Sequence, residues 1–252
     1  MTPVHRIEPT DDLPCASVHR GQKPEVLLIA FTGFAGRLDV EAFEFLGLAG
    51  QLECSRVLLR DPSNRCYLAG VEGIASSLPT LLDYLRTQQA ALAPQQTMVI
   101  GNSGGSFAAL LFGHLLEADW VHAFSPFTNF APDHLRRHAA ASEGARDMLR
   151  HVSALGPSLL PYLDLREVLA NGNGRTRFNL HVCQQSEKDL ERAQYLGATP
   201  GVTVLGYPCN HHGVARVMAR ARLLKVALAA ENQDDVAGAL ARAAQAQGGS
   251  PT

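Results

Sequence analysis

The chain carries almost no net charge: 22 Lys and Arg stand against 24 Asp and Glu, a formal −2 over 252 residues. Binding to nucleic acid or to an anionic membrane surface calls for a basic excess, so neither partner class is indicated. No C-x-x-C pair is present. The five cysteines, Cys15, Cys54, Cys66, Cys183 and Cys209, are scattered and odd in number, and a reduced, cytoplasmic protein is the simplest reading. The first twelve residues are polar and contain proline, without an apolar core, so no secretion signal is expected there. The most apolar window, residues 99–116, is interrupted by Asn102, His114 and several glycines, which argues against a membrane span. Nucleotide motifs are missing too. No Gly-Lys-Ser/Thr ending marks a P-loop, and no G-x-G-x-x-G marks a dinucleotide fold. No internal repeat is found.

What is present is a strand–helix alternation. The apolar fraction of 46% is ordinary for a globular protein, and the length fits one large α/β domain or two small ones. Residues 1–22 read as a loose arm with a short edge strand at 16–19. Apolar runs at 25–31, 55–60, 97–100, 120–125, 178–183 and 202–207 read as strands. Helical spacing is expected over 41–52, 73–92, 106–116, 187–196 and 214–230, and once more after Asp234. Residues 131–176 break the rhythm. They read as amphipathic helices with Arg136, Arg137, Arg146 and Arg150 on polar positions, most simply a solvated face. Strands alternating with helices predict a doubly wound, mostly parallel sheet. Ligands of such sheets sit beyond the carboxyl ends of the strands. The loops at 32–36, 102–105, 185–189 and 210–213 all follow strands and should share that rim.

One of these loops carries a chemical signal. Gly101-Asn102-Ser103-Gly104-Gly105 is a G-x-S-x-G pattern set between a strand and a helix. In that setting the serine occupies a sharp turn that points its hydroxyl outward, and the flanking residues must be small where strand and helix pass. The backbone N–H of Gly104 at the helix start can then face an anion. The bland alternative is a glycine-rich turn that only lets the helix pack.

A serine nucleophile needs a base within hydrogen-bond reach, and the base needs an orienting acid. The loop at 185–189 offers Glu187 and Asp189; the loop at 210–213 offers His211 and His212. Asp189 is the leading acid, although an aspartate at a helix start also serves as a cap. Glu187 is the alternative, with Asp164 and Asp119 as outsiders. His212, next to the start of a helix, is preferred over His211 as base. A metal site built on Cys209, His211 and His212 is not expected, because adjacent histidines rarely chelate one ion and no fourth ligand stands at metal spacing. Phe127 and Phe130 either line an acyl pocket or pack the inserted helices.

Taken together, Gly101-Asn102-Ser103-Gly104-Gly105, the Thr32-Gly33-Phe34 loop, a late acid and a late histidine resemble the α/β-hydrolase superfamily over residues 24–230. The resemblance implies Ser103 as nucleophile, a Ser-His-Asp triad, and an oxyanion hole made by the N–H groups of Phe34 and Gly104. Thr32 stands where that superfamily has histidine in His-Gly-X. It also implies a hydrolase domain over 23–230 with a helical cap at about 131–176, between the arm read at 1–22 and a C-terminal helix or tail read at 231–252. No cofactor is implied. The expected activity is that of a serine hydrolase acting on an ester, thioester or amide, its substrate a small molecule or an acyl or polymer-linked ester. Acyl transfer from the same acyl-enzyme, or non-catalytic binding on the same fold, are the alternatives. A weaker similarity, through Ala123-Phe124-Ser125-Pro126 and Arg60-Asp61-Pro62, is to bacterial hydrolase-like proteins of surface-polysaccharide and accessory-secretion systems, and it assigns no substrate.

Overall fold

The structure, a computed structural model, describes residues 14–34, 43–170, 172–210 and 212–248. Among these residues seven strands form one sheet: β1 Ala16–His19, β2 Lys23–Phe31, β3 Cys54–Leu59, β4 Gln96–Asn102, β5 Trp120–Phe124, β6 Arg177–Cys183 and β7 Val202–Tyr207. Their order is β1-β3-β2-β4-β5-β6-β7. Only β1 runs antiparallel to its neighbour; the other six strands are parallel. The central strands are buried on both faces, as their continuous apolar runs require.

Helices cover both faces. One core packs α2 (Leu78–Leu92), α3 (Gly104–Leu115) and α7 (Glu187–Leu196) through Leu81, Leu85, Phe107, Leu111 and Leu196. The other packs α1 (Leu46–Leu52), α8 (Val214–Arg220), α9 (Leu224–Leu228) and α10 (Val236–Gly248) through Ala49, Met218, Leu228 and Leu240. Ten of the twelve residues of α3 are buried, so this helix is apolar all round rather than amphipathic. The chain leaves β2 towards β3 on one side and leaves β4 towards β5 on the other. Because β2 and β4 are neighbours, their following loops diverge and open a crevice at the switch point.

Three helix boundaries differ from the sequence expectation. The helix expected over 41–52 begins at Leu46; residues 41 and 42 lie outside the described residues. The helix expected from residue 73 begins at Leu78, because Ser77 and Thr80 form a reciprocal capping box. Ile74 lies in a turn closed by the Val71–Ala75 bridge. The helix expected over 214–230 is broken into α8 and α9 at Arg222, whose φ is 54°. No proline or glycine announces that break. It lets Leu224, Ala227 and Leu228 reach the second core.

Residues 131–176 hold α4 (Pro132–Ala139), α5 (Glu143–Leu155), a 3-10 turn at Pro157–Tyr162 and α6 (Leu165–Leu169). Leu135, Met148, Val152, Leu163 and Leu169 join the core of α3. Arg136, Arg137, Arg146 and Arg150 are exposed, and Arg136 and Arg150 pair with Asp133 and Asp147 on their own helices. Arg65, in the loop after β3, bonds His151 of α5, so the insertion leans on a loop of the same sheet rim.

A buried polar chain crosses the second core. Gln233 donates to Ala227 and Ala229 carbonyls, so its Oε1 must accept from His122 Nε2–H at 2.8 Å. His122 Nδ1 then accepts from His181 Nε2–H at 2.9 Å, and His181 Nδ1 accepts from the Tyr207 hydroxyl at 2.8 Å. Each group is satisfied only with both imidazoles neutral. Burial holds His122 down to about 4 and His181 well below its usual value. The unfolded chain therefore binds protons that the native chain does not, and stability falls as pH drops from 6.5 towards 4. His122 alone should contribute on the order of 3 kcal/mol of that loss. Urea unfolding at pH 7 and pH 4.5 measures it. Replacement His122→Asn should lower stability at pH 7 and flatten the slope below 6.5; a wild type equally stable at both pH values would contradict the account.

Candidate active site

The site is built at the ends of β2, β4, β6 and β7. At the end of β4 the backbone turns at Ser103 with φ 50° and ψ −119°, a conformation that costs a non-glycine residue about 1–3 kcal/mol. The turn is held by its neighbours. Ser103 N–H donates to the Phe124 carbonyl at 2.9 Å, and the Ser103 carbonyl accepts from both the N–H and the hydroxyl of Ser106. A side chain at Gly101 would collide with the backbone of Gly105, and one at Gly105 would collide with the carbonyls of Phe31 and Thr32. The small residues of the motif are therefore demanded by backbone contact between β2, β4 and α3. At Gly104 the space of a Cβ is taken by the Phe34 ring, whose Cε1 would stand 2.9 Å away. The Thr32-Gly33-Phe34 loop thus sits directly on the start of α3.

His212 reaches the serine. Its Nε2 lies 2.8 Å from Ser103 Oγ, and its Nδ1 lies 2.8 and 2.9 Å from the two carboxylate oxygens of Asp189. The carboxylate accepts, so Nδ1 carries the proton and Nε2 accepts from the Ser103 hydroxyl. Asp189 is 1% exposed and His212 39% exposed. Burial is the largest influence on Asp189 and pushes its carboxyl up. The His212 bond and charge, the Arg192 charge and the nearby Ser125 hydroxyl outweigh it and hold the group below its usual value. Ser125 is itself buried, with φ 48°, and its N–H donates to the His181 carbonyl at 2.9 Å.

The other acids fall elsewhere. Glu187 and Asp189 both lie in the first turn of α7, whose cap position is Ser186. Two residues along a helix is roughly 200° of rotation, so Asp189 faces inward while Glu187 is exposed. Asp164 caps α6 and bonds Asn129 and Tyr195. Asp119 bonds the Thr97 N–H and Arg175. His211 lies outside the described residues.

Two participants, Arg192 and Glu44, were not singled out in the sequence, and Phe127 had been left between two roles. The guanidinium of Arg192 lies 4.0 Å above the Phe127 ring and 3.4 Å from Asp189. Phe127 in turn meets the His212 and Phe34 rings edge-on, each at 6.0 Å. Glu44 accepts from Gly33 N–H at 2.9 Å and from the Asn102 side chain. Burial, the largest influence, raises Glu44 above its usual value against the pull of these donors and of Arg216. Neither Arg192 nor Glu44 has a local signature: Arg192 lies one turn beyond Asp189 on α7, and Glu44 reaches the site from the segment before α1.

The five cysteines are not all free thiols, as their scatter had suggested. Cys183 and Cys209 form a disulfide, while Cys15, Cys54 and Cys66 are free and buried. The bridge joins the end of β6 to the segment after β7, so it ties the loop of Asp189 to the loop of His212. The separation of 26 positions between the two cysteines hides the pairing in the sequence. Among the described residues no helix is long and apolar enough to cross a membrane.

No family model and no curated protein matches this sequence. Solved structures do. A glycosylation-associated protein complex (Gap123) from Streptococcus agalactiae matches with TM-score 0.61 at 17% identity, over 87% of this chain and 44% of that one. This chain thus spans less than half of that chain's length. The capsule O-acetyltransferase of Neisseria meningitidis serogroup A matches with TM-score 0.60 at 13% identity, over 82% and 88% of the two chains. The fluorophosphonate-binding serine hydrolase F of Staphylococcus aureus matches with TM-score 0.51 at 12% identity, over 82% and 84%. At these identities the likeness concerns architecture, and the chain has the α/β-hydrolase fold.

The glycine contacts at the turn predict a sharp contrast. Gly105→Ala should lower stability by about 3 kcal/mol, because the Phe31 carbonyl it meets belongs to the sheet and cannot move aside. Gly47→Ala, at an exposed position of α1 with open space around it, should leave stability unchanged or raise it by up to about 1 kcal/mol. Urea midpoints compare the two. Equal, small effects would mean that the turn has slack.

Proposed function

We propose that the protein is an acyl-transferring enzyme that acts on esters through an acyl-enzyme on Ser103. The reading is carried by one observation: an Nε2 that accepts from the hydroxyl of a strained serine, on an imidazole whose other nitrogen is held by a buried carboxylate. In this mechanism His212 takes the Ser103 proton as Oγ attacks the carbonyl, and it returns that proton to the leaving group. Asp189 holds the ring in the required tautomer and stabilises the imidazolium. The N–H groups of Gly104 and Phe34 receive the oxyanion, each worth about 3–4 kcal/mol. A binding protein would have no use for a serine held at a backbone cost within reach of a histidine.

Hydrolysis is the first form of this activity and transfer to a second acceptor is the other. The likeness to a capsule O-acetyltransferase over most of both chains supports the second form. The two share the acyl-enzyme and differ in what resolves it. With a p-nitrophenyl ester, added alcohols or sugars that speed p-nitrophenol release and appear acylated would favour transfer; indifference to them would favour hydrolysis.

Fluorophosphonate labelling with intact-mass readout tests the nucleophile, and an adduct on Ser103 is expected. Folded protein that takes no label would end the proposal. Members of such a unit fail together. His212→Ala should therefore lose as much kcat as Ser103→Ala, about 10⁶-fold, and Asp189→Asn about 10⁴-fold. Glu187→Gln and His211→Ala should each lose tenfold or less. A full loss in His211→Ala beside a near-normal His212→Ala would reassign the base and leave Ser103 untouched.

A further inference from the structure

The geometry points to Glu44 as the residue that positions the oxyanion hole, by clamping the Thr32-Gly33-Phe34 loop to the turn that carries Ser103. This inference rests on the acyl-enzyme reading above. Glu44 lies just before α1, a helix with no part in the reaction as described. Its two carboxylate oxygens do different things. Oε2 accepts from the Gly33 N–H at 2.9 Å, and Oε1 accepts from the Asn102 side-chain amide. The Glu44 backbone N–H donates to Thr32 Oγ1 at 3.3 Å. One residue thus bonds the two residues before Phe34 and the residue before Ser103.

The consequence is directional. The two oxyanion donors, Phe34 N–H and Gly104 N–H, belong to separate segments, the ends of β2 and β4. Their spacing has to match a single oxygen atom to a few tenths of an ångström. The bond to Glu44 fixes the Thr32–Gly33 peptide, the plane next to the Gly33–Phe34 peptide that carries the Phe34 N–H, and so limits where that N–H can point. The approach of the two segments leaves no space for a side chain at Gly33: a Cβ there would stand 2.9 Å from the Asn102 carbonyl and 3.3 Å from Glu44 Oε2. The clamp also explains the residue between Gly101 and Ser103. An asparagine there offers a donor to the carboxylate, while its own Oδ1 is buried without a partner. Thr32, which replaces the histidine of the superfamily pattern, serves the same clamp from the other end.

The test uses the full chain and four proteins: wild type, Glu44→Ala, Asn102→Asp, and the double variant Glu44→Gln with Asn102→Asp. Each is checked for folding by urea denaturation and assayed with a p-nitrophenyl ester. Glu44→Ala should lower kcat by 10- to 100-fold with KM changed by less than about threefold, the pattern of a contact made in the transition state. Fluorophosphonate labelling of Ser103 should slow by a similar factor, since phosphonylation uses the same hole. Asn102→Asp keeps the volume and sets two carboxylates against each other, so it should lose as much. The double variant restores a donor–acceptor pair with the roles exchanged and should return to within about fivefold of wild type. If Glu44→Ala fails to fold, the Asn102→Asp loss and its rescue carry the same decision. Wild-type kcat in the single variants, or a loss seen wholly in KM, or a double variant no better than its parent, would overturn the clamp while Ser103 is still labelled. Wild type that neither labels nor turns over would overturn the acyl-enzyme reading, and the clamp with it.

Discussion

The contact on which the structure depends is the close passage of α3 across the ends of β2 and β4. Gly101 meets Gly105 backbone to backbone, and Gly105 meets the carbonyls of Phe31 and Thr32. No side chain fits between them. That closeness forces the chain to reverse within one residue, and Ser103 takes the reversal with a positive φ. Strain of this kind persists only where the surroundings over-determine it. Here the surroundings are the Phe124 carbonyl, Ser106 and a helix buried on nearly every side. The exposed hydroxyl is a by-product of packing that the chemistry can use.

The partners of Ser103 are held by different means. Asp189 is fixed in the first turn of α7, in a fold-buried position, by Arg192 as well as by His212. His212 stands on a loop that is more exposed. Its anchorage comes from the disulfide between Cys183 and Cys209 at the roots of the two loops and from the edge of Phe127. Phe127 links these parts. Its N–H donates to Ser106 at 2.9 Å, and its ring lies between Arg192, His212 and Phe34. The first helix of the insertion begins five residues beyond, at Pro132.

Much of the architecture was legible in the sequence. Apolar runs of four to seven residues bounded by Asp-Pro, glycine and asparagine mark strands that fall within a residue or two of the observed ones, because a strand buried on both faces admits nothing else. The G-x-S-x-G turn was legible for a similar local reason: glycines are needed where backbones touch. The errors are equally physical. The start of α2 is set by a Ser–Thr capping box, which a pattern of leucines alone does not reveal. The break at Arg222 follows from how α8 and α9 fit the second core, and a helix-forming sequence carries no mark of it.

By itself the sequence determined the α/β class, the parallel alternation, the sharp serine turn and the candidacy of Asp189, Glu187 and His212 in loops that follow strands. These are consequences of neighbours in the chain, where period and turn chemistry act over a few residues. Tertiary structure alone decided which of these candidates meet. Asp189 rather than Glu187 faces His212 because of a rotation about α7. Glu44 bonds Asn102 across 58 positions, Cys183 pairs with Cys209 across 26, and His122 bonds Gln233 across 111. A side chain's partner at such distances depends on how whole elements pack, and no local pattern of residues encodes that.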